Sequence, residues 1–245
     1  MSSDVLTKLA NAAIDYRYLL DRGYPQKQAL DLVASRYGLS QEYKLALYRC
    51  VHTSELSARV REKIISLDDV HRYGGIVIDF YNVTLTILAA YLHQPVFLCD
   101  DCLVRDVRGS KVKHEEREAF MEIVKLLSEV IACYGIKHVV VVADRRVSWS
   151  AMHVEYLRSL LEKKGVMVCS LLSDRTDSDV LAKARVEGYP IASTDIVVLQ
   201  RAETLAPLVN TLFTMLRGEL NFNFASLFNT SCDYAFSYTK SCIEK

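Results

Sequence analysis

The sequence carries no excess of either charge: across 245 residues, 30 lysines and arginines balance 30 aspartates and glutamates. No global field therefore draws the chain to nucleic acid or membrane, and contact with a polyanion has to come from local patches. No apolar run reaches the roughly 18 residues that a bilayer span requires. The start, Met-Ser-Ser-Asp-Val-Leu, lacks the basic stretch and apolar segment of a secretory signal. Glycine fingerprints are missing as well. No Gly-x-Gly-x-x-Gly follows a strand and no Walker loop occurs, so Gly74-Gly75 marks no nucleotide site. Seven cysteines, an odd number spread over several segments, form no framework of a small disulfide-stapled domain. Cys99-Asp-Asp-Cys102 has zinc-knuckle spacing, but no second such pair completes four ligands. A composite zinc site with Cys50 and His52 is weaker than the alternative of two strand cysteines flanking a turn. The expectation is a cytoplasmic protein without membrane contact. Its cysteines are expected reduced, with disulfides reserved for a hyperthermophilic source.

What the chain does have is a set of short apolar runs that each end in an aspartate. Gly74-Gly-Ile-Val-Ile78 leads into Asp79, Val139-Val-Val-Val-Ala143 into Asp144, and a third short run into Ser193-Thr-Asp195. Asp177-Ser-Asp179 opens a helix between the last two. Apolar runs of this length read as strands buried on both faces. In a parallel sheet the functional crevice lies beyond the carboxyl ends of the strands, so these acids converge on one crevice. Clustered carboxylates are unfavourable unless a cation or protons neutralise them. A divalent-metal site is the economical reading.

Residues 1–70 read as a small all-helical domain with four amphipathic stretches. Arg22-Gly-Tyr-Pro25 separates the first two, Gly38 ends the second, and Ser40 caps the third. The Gly-Leu-Ser turn invites a helix-turn-helix reading. Ten basic against nine acidic residues give no footprint of a DNA reader, so a docking or dimerisation module is favoured. Residues 71–245 alternate strand and helix, which implies right-handed crossovers and a three-layer α/β/α sandwich with a mainly parallel sheet. A hairpin over 95–107 interrupts the alternation, with basic residues Arg105, Arg108, Lys111 and Lys113 on and after it. Leu212-Phe-Thr-Met-Leu216 reads as a last strand, followed by an appendage that packs or forms oligomers.

Taken singly, each acid is ambiguous, because an N-cap and a metal ligand both place aspartate at a strand-to-helix junction. Arg145 and Arg146 directly after Asp144 either neutralise it or bind a phosphate. One residue of Ser173-Asp-Arg-Thr-Asp-Ser-Asp179 has to serve as the cap, so Asp174, Asp177 and Asp179 are not all ligands. The hydroxyls of Ser193 and Thr194 suit the orientation of a neighbouring carboxylate. Tyr81 stands where a haloacid-dehalogenase-type phosphatase needs a second aspartate, and the same gap counts against a toprim domain.

Asp79-Phe-Tyr-Asn82, Asp144, Thr176-Asp-Ser-Asp179 and Ser193-Thr-Asp195 together resemble a PIN-like domain of the NYN type over about 73–204. The whole chain resembles an uncharacterised, largely archaeal family that joins an N-terminal helical domain to such a domain. Arg22-Gly-Tyr-Pro25, Arg36-Tyr-Gly-Leu39, Leu47-Tyr-Arg49, Arg105-Asp-Val-Arg-Gly109 and Ser148-x-Ser150 carry that closer likeness. The resemblance implies a metal-dependent ribonuclease. Asp79, Asp144, Asp179 and Asp195 would hold Mg²⁺ or Mn²⁺, with Asp177 a further ligand and Asn82 supporting the first acid. One departure stands out: Phe80 replaces the glycine of the usual Asp-Gly-x-Asn, crowding the place where a phosphate backbone would approach.

The sequence thus carries three functional expectations. The first is phosphodiester hydrolysis of RNA, with Arg105, Arg108, Lys111, Arg145 and Arg146 holding the strand by its phosphates. The second is a non-catalytic RNA- or ribonucleoprotein-binding module whose acid pocket is vestigial. The third is an interaction protein that self-associates through its helical domain or its appendage.

Overall fold

The computed structural model describes residues 3–109 and 111–236. The expected appendage beyond residue 236 lies outside the described residues. Four helices open the chain: α1 (Ser3–Asp21), α2 (Gln26–Tyr37), α3 (Gln41–Cys50) and α4 (Ser54–Arg61). Their boundaries follow from local chemistry. Gly38, at φ +59°, ends α2 in the left-handed conformation that glycine adopts without strain. Ser40 and Thr53 then cap α3 and α4, their hydroxyls accepting from the amides of Tyr43 and Leu56.

After a 3₁₀ turn at Leu67–Tyr73 the alternation begins. It runs β1 (Ile76–Asp79), α5 (Phe80–Tyr91), the hairpin β2 (Val96–Leu98) and β3 (Val104–Asp106), α6 (Arg117–Cys133) and β4 (His138–Asp144). It continues through α7 (Ser150–Glu162), β5 (Met167–Ser173), α8 (Thr176–Glu187), β6 (Ile191–Ala192) and α9 (Ile196–Arg201), and closes with α10 (Leu208–Met215), β7 (Phe222–Asn223) and α11 (Phe224–Leu227). Four strands form a parallel sheet in the order β5-β4-β1-β6. The chain steps from β1 outward to β5 and then returns past both to β6. Right-handed crossovers therefore put α8 on the face opposite α5–α7. The expected mixed α/β architecture with a parallel sheet is what the chain adopts.

Register fixes the carboxyl edge. Asp79 lies beside Val142, two residues short of Asp144, and Asp144 lies beside Ser173. Strand β1 can sit this deep because Gly75 precedes it: a Cβ there would come within 2.5 Å of the Tyr189 ring and 2.6 Å of the His138 carbonyl oxygen. A second sheet, β3-β2-β7, stands apart from the first.

The two expected domains share their interiors. Val60, Ile64, Leu67 and Val70 belong to the core around the parallel sheet. The core of α1–α3 is in turn closed by Phe97 and Cys99 of the hairpin and by Phe224 of α11. Burying these side chains across the boundary, at about 25 cal/mol per Å² of apolar surface, welds the helical unit to the hairpin.

Two expectations need correcting. The stretch expected as a last strand is the helix α10, whose Leu208, Val209, Leu212 and Phe213 recur at helical spacing and are buried. The cysteines are not all reduced: Cys102 and Cys232 form a disulfide that ties the hairpin turn to the C-terminal segment. With Cys102 so engaged, the composite zinc set dissolves. Among the described residues no helix is long and apolar enough to cross a membrane.

Candidate functional site

A cleft of about 320 Å³ opens at the carboxyl edge of the parallel sheet. Asp79, Asp144, Asp174 and Asp177 line it, and so do Asp106, Tyr81 and Asn82. Four arginines join them: Arg49 from α3, Arg108 from the loop after β3, Arg146 and Arg175.

Asp79 ends β1 and is buried, yet its side chain accepts no backbone amide from the first turn of α5. Its Oδ2 instead accepts from Asn82 Nδ2 and from Ser193 Oγ, each at 2.7 Å. Among the described residues no cationic side chain lies within ion-pair distance of it. Burial pushes its carboxyl up to about 7; the two hydrogen bonds oppose the rise, and the charges of Asp195 and Asp177 add to it. The helix-cap reading of this residue is thereby excluded.

The other acids divide. Asp177, in the first turn of α8, faces the cleft, and burial followed by the charge of Asp195 raises its carboxyl above the usual range. Asp179 does not line the cleft. It accepts from Ser173 Oγ at 2.5 Å. Two residues on a helix are separated by about 200° of rotation, so α8 turns Asp177 inward and Asp179 away. Asp195 caps α9 through the amides of Val197 and Val198, while its charge still reaches Asp79 and Asp177. Asp144 lines the cleft but is engaged: Arg146 donates to it from its backbone amide, Nε and Nη2 at 2.8–3.0 Å. Burial works the other way, but these bonds and the arginine charge hold Asp144 below the usual carboxylate range.

The expected strand-holding cations fare differently. Arg105 is a correction: it is 1% exposed, its guanidinium forks onto both oxygens of Asp101, and its Nε donates to the Thr194 carbonyl. It is a structural cation and cannot reach a solvent-borne phosphate. Arg145 is exposed, with Nη2 on the Leu172 carbonyl and Nη1 at 3.4 Å from Asp174. Arg146 reaches the cleft from its pair with Asp144. Arg108 lines the cleft, and Lys111 lies on a neighbouring groove. Ser193 Oγ donates to Asp79 and not to the adjacent Asp195 carboxylate, and Thr194 Oγ1 donates to the Asn82 backbone carbonyl at 3.1 Å.

Phe80 points into the core, edge-on to Phe120 with ring centroids 6.1 Å apart, and so crowds no substrate position. Asp106 and Arg49 were missed by the sequence reading. Two adjacent charges inside the short strand segment Leu103-Val-Arg-Asp-Val107 were the available signal, since a charge buried there needs a partner.

Among the described residues the one trio of His, Cys, Asp or Glu ligand atoms all within 4.8 Å of one another is His52, Asp100 and Asp101. That trio is already neutralised. Asp100 accepts from Arg17 and from the amide and Nδ1 of His52, and Asp101 takes the Arg105 fork. The acids of the cleft stand farther apart than this trio. Their oxygens are hard donors of the kind Mg²⁺ and Mn²⁺ take, and Mg²⁺ commonly binds through one or two carboxylates while keeping several waters. The donor set therefore fits such an ion through Asp79 and Asp177, with Asp195 close by. Asp144 joins only if Arg146 releases it.

Fold and cleft together define a mixed α/β protein with an acid-lined crevice at the carboxyl edge of a parallel sheet and a helical unit fused in front. The chain belongs to the family described as "Domain of unknown function (DUF5616)", which matches residues 70–211. Residues 8–63 match the family described as "Protein of unknown function (DUF434)". The chain is similar to uncharacterized protein MJ0935 of Methanocaldococcus jannaschii, at 30% identity over 154 residues, which is 63% of this chain and 73% of that protein. No solved structure matches the chain.

Proposed function

We propose that this protein is a metal-dependent ribonuclease built on a PIN-like, NYN-type α/β unit. One observation carries the reading: Asp79 is a buried carboxylate that opens on the cleft, caps no helix and, among the described residues, pairs with no cation. Keeping such a group without a counter-ion is unfavourable for the fold, and a bound divalent cation removes the penalty. A divalent ion held by Asp79 and Asp177 would supply an activated water and offset charge on the phosphodiester in flight.

The chain's own residues do the rest. Asn82 and Ser193 hold the Asp79 carboxylate through its Oδ2. Asp195 and Asp177 keep the local field negative. Tyr81 walls the cleft beside them, its hydroxyl 3.0 Å from His153 Nδ1. Burial holds His153 down to about 4, so its imidazole is neutral at pH 7.

The test is cleavage of mixed single-stranded RNA by the full chain with Mn²⁺, wild type against Asp79→Asn. Metal-dependent cleavage lost in the variant supports the reading, and cleavage that survives Asp79→Asn overturns it.

One observation favours a second reading, a non-catalytic RNA- or ribonucleoprotein-binding module. Asp144 is fully engaged by Arg146, and no three cleft acids bring ligand atoms within 4.8 Å of one another. RNA binding without cleavage in Mg²⁺, Mn²⁺ or Co²⁺ would decide for it.

A further inference from the structure

The cleft holds a second chemistry that the acids do not use. Arg108 leaves only 10% of its side chain exposed. Its Nη2 is committed, donating to the Lys111 carbonyl and to Glu116. Its Nη1 is buried and has no hydrogen-bond partner among the described residues. A buried guanidinium nitrogen without an acceptor is costly, because the charge is desolvated and one of its donors stays unmet. Arg108 as a residue lines the cleft, so a small shift of its side chain would offer this unmet donor to an anion there.

The neighbourhood strengthens the point. Asp106 Oδ1 accepts the backbone amide of Arg108 at 2.7 Å and stands 3.5 Å from Arg49 Nη1. Its other oxygen accepts from Thr86 at 2.7 Å, which anchors it to α5. One carboxylate thus holds two cleft arginines in place, one from the helical unit and one from the hairpin loop. Arg49 has five N–H donors and spends one on a long contact. Asp106 and Glu116 orient these guanidiniums without filling their forks, the arrangement that suits a tetrahedral oxyanion with several acceptor oxygens.

We propose that Arg49 and Arg108 form a phosphate subsite across the junction of the helical unit and the α/β unit, beside the acid floor of the cleft. Its ligand is a backbone phosphate of a single-stranded nucleic acid, an assignment that rests on the ribonuclease reading. The presence of an oxyanion subsite does not rest on it. The inference gives the helical unit a task other than docking or dimerisation: it completes the surface that grips the strand.

The experiment uses the full chain in EDTA, with a short fluorescein-labelled single-stranded RNA read by anisotropy over a range of salt. Arg108→Ala and Arg49→Gln are each expected to weaken binding about tenfold, the loss of one charged hydrogen-bonding partner. Each should also lower the log–log salt slope by about 0.7, one phosphate contact on a single strand. In parallel, inorganic phosphate should raise the wild-type melting temperature relative to chloride at equal ionic strength, and raise that of Arg49→Gln less. Arg108→Ala also loses its contact with Glu116, so if circular dichroism shows it unfolded, Arg49→Gln decides alone. Unchanged RNA affinity in the folded variants overturns the subsite, whatever the cleavage assay shows. Arginine-dependent binding with no cleavage in any metal leaves the subsite standing while the nuclease reading falls. An arginine-dependent response to inorganic phosphate without RNA binding overturns the assignment to a strand.

Discussion

Ser193 Oγ donates to Asp79 Oδ2 at 2.7 Å, joining the ends of two neighbouring parallel strands that lie 114 residues apart in sequence. Asn82 donates to the same oxygen. An asparagine at position 79 can accept both bonds on its single carbonyl oxygen, so Asp79→Asn removes the charge and little else. The folded carboxyl titrates at about 7 and the unfolded one at 3.8. A raised acid pKa favours the fold below the unfolded value and costs stability as pH rises through the folded value. Asp79→Asn should therefore match wild type below pH 4 and be more stable at pH 8, by at most about 4 kcal/mol. Urea melts across pH 4 to 8 measure this. A variant less stable than wild type at pH 8 would show that the charge is not the burden it is taken for.

Asp79 was legible as one of several acids that end apolar runs, although taken singly a helix cap would look the same. Asp195 was legible as a position but not as a role, since its capping bonds to Val197 and Val198 look the same in sequence as a ligand would. The choice between Asp177 and Asp179 depended on where α8 begins. A shift of one residue there moves the inward face by about 100°, and sequence does not fix boundaries that finely. Arg105 misled for a different reason. Its partner Asp101 is four residues back around a hairpin turn, where no helical or strand period pairs them. α10 was misread because Leu212-Phe-Thr-Met-Leu216 is apolar on every side, and a short run of that kind does not separate strand from helix.

Arg105 and Asp101 form a fully buried, forked pair, and removing one partner of such a pair strands the other charge. Arg105→Met should destabilise the fold by about 3–5 kcal/mol, and Arg105→Lys by less, since an ammonium keeps the charge but loses the fork. If Arg105 instead held RNA from solution, Arg105→Lys would lower affinity and leave the melting temperature unchanged. Thermal melts beside RNA titrations separate the two.

The Cys102–Cys232 disulfide closes a loop with a sequence separation of 130 residues. Loop-closure entropy in the unfolded chain assigns such a bridge about 5 kcal/mol. Cys102→Ser with Cys232→Ser should lower the melting temperature, and a reductant should lower that of wild type by more than that of the double variant, in which Cys133 is still disulfide-bonded. An equal response of both to the reductant would place the effect on other cysteines.

The last prediction concerns the guard on Asp144. Arg146 is exposed and holds Asp144 through Nε and Nη2 at 3.0 Å. A metal ion that draws on Asp144 has to displace this guanidinium, so the pair works against binding. Arg146→Ala removes the competitor and leaves the backbone amide bond in place. The variant should bind Mn²⁺ roughly threefold more tightly than wild type, a shift in the range of one exposed ion pair. Because a ligand that binds only the folded state stabilises it by mass action, the change reads out as a larger rise in melting temperature at equal Mn²⁺. Adding Asp144→Asn to Arg146→Ala should abolish the gain. If wild type and Arg146→Ala respond to Mn²⁺ alike, Asp144 takes no part in holding the ion, and the site reduces to Asp79 with the acids of α8 and the α9 cap.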